Sequence, residues 1–138
     1  MIVKVLENEE ALNFFINDSN YKYITDRYLY FDEWKNQKNI KAYLLFENDI
    51  LKSYALISKL DRDPVKIHKI PFYFNYIHTL KEYRRKGYAY YLVSHIKNNE
   101  EITVFCTDDI IQNLFKKAGY NMHSHDSLYN SLPIYRSP

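Results

Sequence analysis

The sequence predicts a mixed α/β or α+β fold in which helices pack on one sheet. Three observations support this prediction: short apolar runs typical of strands, amphipathic stretches typical of helices, and an order that mixes both kinds along the whole chain. The 138 residues suffice for one core and are too few for two. We therefore expect a single domain over residues 1–138.

The first half of the chain predicts a helical pair between strands. Asn8 can cap a helix whose first turn carries Glu9 and Glu10, where negative charge is favourable. Asn48 and Asp49 form a tight turn between two alternating runs, which favours an antiparallel hairpin. The full order expected is a strand at Ile2 to Leu6, the Asn8 helix, a helix at about Tyr21 to Asn36, strands at about Lys41 to Glu47 and Leu51 to Lys59, a loop at Asp61 to Pro64, and a strand at Phe72 to Thr79.

The second half predicts two helices with the same spacing of apolar residues. Positions i, i+3, i+4 and i+7 are apolar or small in both, which predicts one buried stripe on each helix. Gly119 follows the second stripe and predicts the end of that helix. The first of these helices is expected at about Gly87 to Asn98, with the stripe Ala89, Leu92, Val93 and Ile96. The second is expected to begin after a cap at Asp108 or Asp109, with the stripe Ile111, Leu114, Phe115 and Ala118. Strands are expected at Ile102 to Cys106, Tyr120 to Ser124 and Leu128 to Tyr135.

Composition and charge narrow the classes of function. The net charge of +2 gives no concentrated basic face, which argues against nucleic acid as a partner. No apolar run approaches the roughly 20 residues that span a bilayer, and the first residues lack the apolar core of a signal peptide. The single Cys106 cannot form an internal disulfide, which suits a reducing compartment. We expect a soluble cytoplasmic protein without a membrane partner.

A basic turn is the strongest chemical signal. Arg84, Arg85 and Lys86 precede Gly87 and open a helix directly after an apolar strand. The first amides of a helix have no internal partner, and the helix dipole adds positive charge there. Gly87 allows a close approach of the backbone, and the small Ala89 does not block it. The turn therefore predicts an anion site.

The chain resembles the GNAT superfamily of N-acetyltransferases in two segments. Residues Tyr76 to Ala89 are similar to that family's motif A, and Leu114 to Tyr120 are similar to its Leu-Tyr-x-Lys-x-Gly-Phe segment. Both segments lie at the expected separation, and the element order fits from about residue 2 to 136. The resemblance implies a mixed central sheet flanked by about four helices.

The resemblance also implies a cofactor and its site. The strand ending at Thr79 would splay from the strand at Ile102 to Cys106, and the pantetheine of acetyl-coenzyme A (acetyl-CoA) would lie in the notch. The cofactor-binding residues so implied are Ile77, His78 and Thr79 for pantetheine, and Arg84, Arg85, Lys86, Gly87, Tyr88 and Ala89 for the pyrophosphate. The partners implied are acetyl-CoA and an amine acceptor, and the family's final strands often meet a second copy, which leaves a homodimer open.

The catalytic groups do not follow the family pattern. The family's proton-donating Tyr corresponds to Phe115, and its nearby Asn corresponds to Asp108. His78 near the notch and Tyr73 at the upstream end of the central strand are the candidate catalytic residues. Each is also consistent with a packing role.

Other readings of the chain remain at this point. Cys106 is interpreted as a buried thiol rather than a nucleophile. His123, His125 and Asp126 alternate on a strand, yet a metal site needs further ligands, so no metal is predicted. Besides an N-acetyltransferase, the chain fits a catalytically weak or inactive module that binds acyl-CoA or a partner protein. A nucleic-acid binder using lysines interleaved with tyrosines is the weakest reading.

Overall fold

The computed structural model describes the backbone of residues 1–16, 28–59, 71–106, 109–126 and 132–137. Side chains are described for these residues except 28–30, 123–126, 132–134 and 136. The expected loop at Asp61 to Pro64, the possible cap Asp108 and the beginnings of the strand at Leu128 and of the helix at Tyr21 lie outside the described residues. Within the described ranges, none of the helices combines the length and the apolar character that a membrane span requires.

Seven strands form one mixed sheet in the described part of the chain. Their order across the sheet is β1-β2-β3-β4-β5-β7-β6. β4 and β5 run parallel, and every other neighbouring pair runs antiparallel. The strands are β1 (Ile2–Glu7), β2 (Ile40–Glu47), β3 (Ile50–Lys59), β4 (Phe72–Thr79), β5 (Ile102–Phe105), β6 (Asn121–Asp126) and β7 (Leu132–Arg136).

Four α-helices accompany this sheet within the described ranges, which confirms the predicted mixed fold. They are α1 (Asn8–Ile16), α2 (Tyr28–Lys35), α3 (Tyr88–Asn99) and α4 (Asp109–Lys117), with a short 3₁₀ turn at Lys81–Tyr83 that the sequence analysis did not predict. The predicted order of elements is confirmed. Their ends shift slightly: Gly87 precedes α3 instead of opening it, Cys106 follows β5, and Tyr120 precedes β6.

The β2–β3 turn follows the predicted hairpin. Glu47 pairs with Ile50, so Asn48 and Asp49 alone make the loop. Both have a positive φ, of 54° and 62°. Two successive left-handed residues form the turn that matches the twist of a hairpin, and Asn and Asp tolerate this conformation best after glycine.

Each face of the sheet carries its own core. On one face, Leu92 and Ile96 of α3 and Phe115 of α4 pack on strand residues such as Leu45 and Ile57. On the other face, α1 and α2 supply Phe15, Phe31 and Trp34, which pack on residues such as Leu44 and Leu56. Alternation along β2 and β3 thus divides adjacent residues between two layers of helices, as expected for a sheet covered on both sides.

Two buried tyrosines have hydroxyls that ionise with difficulty. Burial and the hydrogen bond that Tyr43 donates to Glu100 Oε2, at 2.6 Å, raise the pKa of Tyr43 well above its ordinary value. Lys41 Nζ lies 2.8 Å from the same carboxylate oxygen. Burial raises the pKa of Tyr120 as well, and its hydroxyl donates to the carbonyl of Val93 at 3.1 Å.

The end of α4 depends on Gly119, as predicted. The Gly119 amide donates to Lys116 and the Tyr120 amide donates to Phe115, which satisfies the last carbonyls of the helix. Gly119 has a φ of 93°. Lys97 Nζ donates to the carbonyl of Ala118 at 2.8 Å and so ties α3 to this end of α4.

Gly119→Ala is expected to lower the free energy of unfolding by about 1–2 kcal/mol, because an L-residue is strained at this φ. The added Cβ would also lie 2.7 Å from Lys97 Nζ and displace it. Gly87→Ala is the matched control, since Gly87 has a φ of 84° and its Cβ would meet nothing within 4 Å. Denaturant titration compares the two variants. A smaller loss in Gly119→Ala than in Gly87→Ala would contradict this account.

Candidate functional site

A cleft opens where two parallel strands separate. β4 and β5 pair at Phe72 with Ile102 and at Tyr73 with Thr103. Beyond Tyr73, β4 continues to Thr79 without pairing to β5. The splay expected between these strands is therefore present, and it leaves backbone groups of β4 facing the gap instead of a neighbouring strand.

The gap widens into a cleft of about 790 Å³. One wall is β4 from Tyr73 to Thr79, and the basic turn and the first residues of α3 close one end. The opposite wall is apolar and consists of Val104 and Phe105 of β5 with Ile111, Leu114 and Phe115 of α4. The cleft thus combines a cationic end with an apolar wall.

The basic turn holds an unusual backbone shape at that end. Arg85 and Gly87 both have a positive φ, of 65° and 84°. Gly87 precedes α3, and its carbonyl accepts the hydrogen bond of the Tyr91 amide. Arg84 Nε donates to the carbonyl of Thr79 at 3.0 Å, which fixes the turn against the end of β4. The amides that begin α3 and two guanidinium groups therefore meet at one end of the cleft.

The structure brings most of the predicted cofactor residues together. Eight of the nine line the cleft, namely Ile77, His78, Thr79, Arg84, Arg85, Gly87, Tyr88 and Ala89. Lys86 is exposed and is not part of the lining. The binding of a cofactor by these residues stays a prediction.

A bulge in β4 sets which side chains reach each face. Leu56 pairs with Tyr76 and Ile57 pairs with Phe74, so Asn75 is an extra residue. Ser58 Oγ donates to Asn75 Oδ1 at 2.7 Å and holds the bulge. Phe74 then packs in the α3–α4 core, whereas Tyr76 packs against the α1–α2 core.

The two candidate catalytic residues occupy different parts of the cleft. Tyr73 lies at the closed end, where its ring is 5.5 Å from that of Phe105. His78 lies nearer the basic turn, and its Nδ1 is 3.1 Å from the hydroxyl of Tyr76. Sequence reasoning missed Tyr76, although its i, i+2 spacing from His78 on a strand is the signal that places both on one face.

Phe115 and Cys106 are both buried. The Phe115 ring is 1% exposed and packs edge-on against Phe74 and Tyr120, with centroids 5.0 and 4.8 Å apart. Cys106 is 2% exposed, as its interpretation as a buried thiol requires. The side chains of His123 and His125 lie outside the described set, and the described residues contain no group of three or more potential metal ligands.

Solved structures share this architecture over nearly the whole chain. Escherichia coli ElaA matches with a TM-score of 0.63 at 14% identity, covering 99% of this chain and 97% of ElaA. A GNAT-family acetyltransferase from Streptococcus agalactiae matches with a TM-score of 0.56 at 14% identity, covering 89% of this chain and 76% of that one, so the fold is the GNAT fold. The N-acetyltransferase YlbP from Bacillus subtilis, solved in complex with coenzyme A, matches with a TM-score of 0.59 at 14% identity, covering 99% of this chain and 97% of YlbP.

The GNAT fold predicted from the two sequence segments is thus confirmed. No family model and no curated protein sequence matches the chain, so the likeness is one of structure. A KacTA–DNA complex also matches, with a TM-score of 0.57 at 10% identity, covering 99% of this chain and 94% of that one. The GNAT fold therefore does not by itself exclude nucleic acid as a partner, and the expectation drawn from net charge stays a prediction.

Proposed function

We propose that the chain is an acetyl-CoA-dependent N-acetyltransferase that acts on an amine, either a small molecule or an amino group of a protein. The observation that carries this proposal is the continuity of the cleft. Its cationic end suits a pyrophosphate, and its open strand edge suits an extended arm with amide groups. Both features belong to one channel in a GNAT fold.

The cationic end supports binding of the pyrophosphate. Arg84 and Arg85 line the cleft beside the first turn of α3, so charged donors and helix amides act on the same anion. A Cβ at Gly87 would meet nothing within 4 Å, which means that the space beside this residue is open to a phosphate. The positive φ explains why a glycine stands there.

The separated strands support binding of pantetheine. Its amides can pair with backbone groups of β4 at Ile77, His78 and Thr79, in place of the missing β5 partner. An arm that starts at the basic turn and follows β4 carries its thioester toward Asn75 and Tyr73. The apolar wall formed by β5 and α4 covers the other side of the arm.

The reaction follows from this placement. A neutral amine attacks the thioester carbonyl, a tetrahedral oxyanion forms, and the C–S bond breaks to release coenzyme A thiolate. Holding amine and thioester together supplies much of the acceleration, and backbone amides can stabilise the oxyanion. The single described thiol, Cys106, is buried and suits a cytoplasmic setting for this chemistry.

Calorimetric titration with acetyl-CoA tests the proposal. Arg85→Gln is expected to weaken binding by about 10- to 150-fold, because one charge-assisted hydrogen bond contributes about 1.5–3 kcal/mol. Lys86→Gln is the matched control, since Lys86 is outside the cleft lining, and it should bind nearly as the wild type does. The proposal would be wrong if the wild-type chain did not bind acetyl-CoA, or if the two variants lost the same amount of affinity for it.

A second candidate function is a catalytically weak or inactive module that binds acyl-CoA or a partner protein. Phe115 favours this second function, because its buried ring occupies the position at which the family that the chain resembles has a tyrosine hydroxyl. Coenzyme A release separates the two functions. Release that depends on an added amine supports the enzyme, whereas binding of acetyl-CoA without release from any amine supports the module.

A further inference from the structure

We propose that Tyr76 and His78 form the proton-transfer pair of this cleft, with His78 receiving the proton of the attacking amine and Tyr76 protonating the departing thiolate. The inference rests on the proposed acetyltransferase function and deepens it. It assigns both the base and the acid, for which the position of Phe115 offers no group.

The geometry of the pair is the first support. The Tyr76 hydroxyl lies 3.1 Å from His78 Nδ1, within hydrogen-bonding distance. The two rings are stacked, with centroids 5.8 Å apart and planes inclined by 17°. Two residues apart on one strand, they share a face, so the strand itself sets this arrangement.

The surroundings hold the pair in place. Tyr54 is fully buried, and its ring lies 5.6 Å from His78 and 6.1 Å from Tyr76. Tyr54 also pairs with His78 across β3 and β4, and Ser53 Oγ donates to the His78 carbonyl at 2.9 Å. A pair fixed in this way loses little entropy when it acts on a substrate, which is what general acid–base catalysis requires.

The location connects the pair to the reacting atoms. Tyr76 and His78 both line the cleft, on the part of β4 that has left β5. An arm running from Thr79 toward Tyr73 passes both. Tyr73 at the closed end packs on Phe105, and Tyr90 on α3 is 41% exposed. The Tyr76 hydroxyl, between these two positions on the lining, lies within hydrogen-bonding distance of the His78 imidazole.

The proton balance closes without another reactant. The amine nitrogen forms the new C–N bond and gives one proton to His78, while the C–S electron pair leaves with sulfur. Tyr76 gives its hydroxyl proton to that sulfur and regains a proton from His78 across their hydrogen bond. The products are the N-acetylated amine and coenzyme A thiol, and both side chains end neutral.

Tyr76→Phe and His78→Gln test the pair, with Tyr91→Phe as control. Tyr91 on α3 is exposed and lies outside the cleft lining, so its variant removes an equivalent hydroxyl elsewhere. Acceptors are n-butylamine, spermidine and a peptide with a free amino terminus, and coenzyme A release is followed against pH. Each pair variant should lower kcat about 100-fold, in the range of general acid–base catalysis. The acetyl-CoA dissociation constant should stay at the wild-type value.

The combined readouts separate a chemical role from a structural one. The double variant should be about as slow as either single variant, and not about 10,000-fold slower than the wild type, because the two groups act as one unit. His78→Gln should also abolish the loss of rate toward acid pH that protonation of the base causes. An unchanged kcat and pH profile in both variants would overturn the pair while leaving the acetyltransferase proposal intact. Binding of acetyl-CoA without turnover of any acceptor would overturn the pair and favour the module, and absence of binding would overturn both proposals.

Discussion

Trp34→Ala is expected to lower the free energy of unfolding by about 3–5 kcal/mol, the range for removing a large aromatic ring from a core. Trp34 is fully buried in the core between α1, α2 and the sheet. Its ring packs against Phe15 and Phe31, with centroids 6.0 and 5.7 Å away. A domain of this size is stabilised by about 5–15 kcal/mol in total, so the variant would be close to unfolding.

Trp34→Phe is the control that separates packing from hydrogen bonding. Trp34 Nε1 donates to the carbonyl of Ile57 at 2.9 Å, which fastens α2 to β3. The phenylalanine keeps most of the ring and loses this bond, so we expect a smaller loss, of about 1–3 kcal/mol. Denaturant unfolding followed by circular dichroism measures both variants. A loss below about 1 kcal/mol in Trp34→Ala would show that the α1–α2 layer contributes little to stability.

The second large effect is expected at alkaline pH. Tyr43 and Tyr120 both have a raised pKa in the folded protein, chiefly because they are buried. In the unfolded chain each ionises near its ordinary pKa of about 10. The stability that they contribute is therefore fully present below about pH 10 and is lost as the pH rises above it. Each group should reduce the free energy of unfolding by about 1.4 kcal/mol per pH unit in that range.

Urea unfolding between pH 8 and 11.5 measures this dependence. Tyr43→Phe and Tyr120→Phe should each make the loss of stability with rising pH less steep. The double variant should remove most of the part of that slope that these two tyrosines cause. The free energy of unfolding of each variant at pH 8 is the reference for its own slope, since each variant also loses the hydrogen bond to Glu100 or Val93 at every pH. Tyr91→Phe, at an exposed position, should leave the slope unchanged. An equally steep slope in the double variant would refute the expectation.

The local patterns of the sequence were sufficient for most of the fold. Apolar stripes at helical spacing predicted α3 and α4, and Asn48-Asp49 predicted the hairpin, because both signals act within a few residues. The 3₁₀ turn at Lys81–Tyr83 was missed. It has no side-chain cap, and its place is set by longer-range bonds such as that from the Leu80 amide to Lys52.

The cleft was predictable only in part, because a sequence shows the signals that act within a few residues and not those that act across the sheet. A basic segment with a glycine before a helix is a local signal that predicts an anion site, so the sequence predicted the basic turn. The sequence could not show that Arg85 lines the cleft and Lys86 does not. That difference depends on the left-handed backbone of the turn, which only the three-dimensional structure reveals. The spacing of Tyr76 and His78 shows that they share a face, but which face they share depends on the bulge at Asn75, and a single sequence does not reveal that bulge.

The separation of β4 and β5 also affects how the sheet meets other protein chains. Exposed strand edges generally recruit strands from other chains and promote aggregation. Here the open edge of β4 faces inward, into a wedge that is already closed at Tyr73 and Thr103 and walled by α4. Backbone hydrogen-bonding groups of β4 thus remain open to the cleft, while α4 shields them from the strands of neighbouring chains.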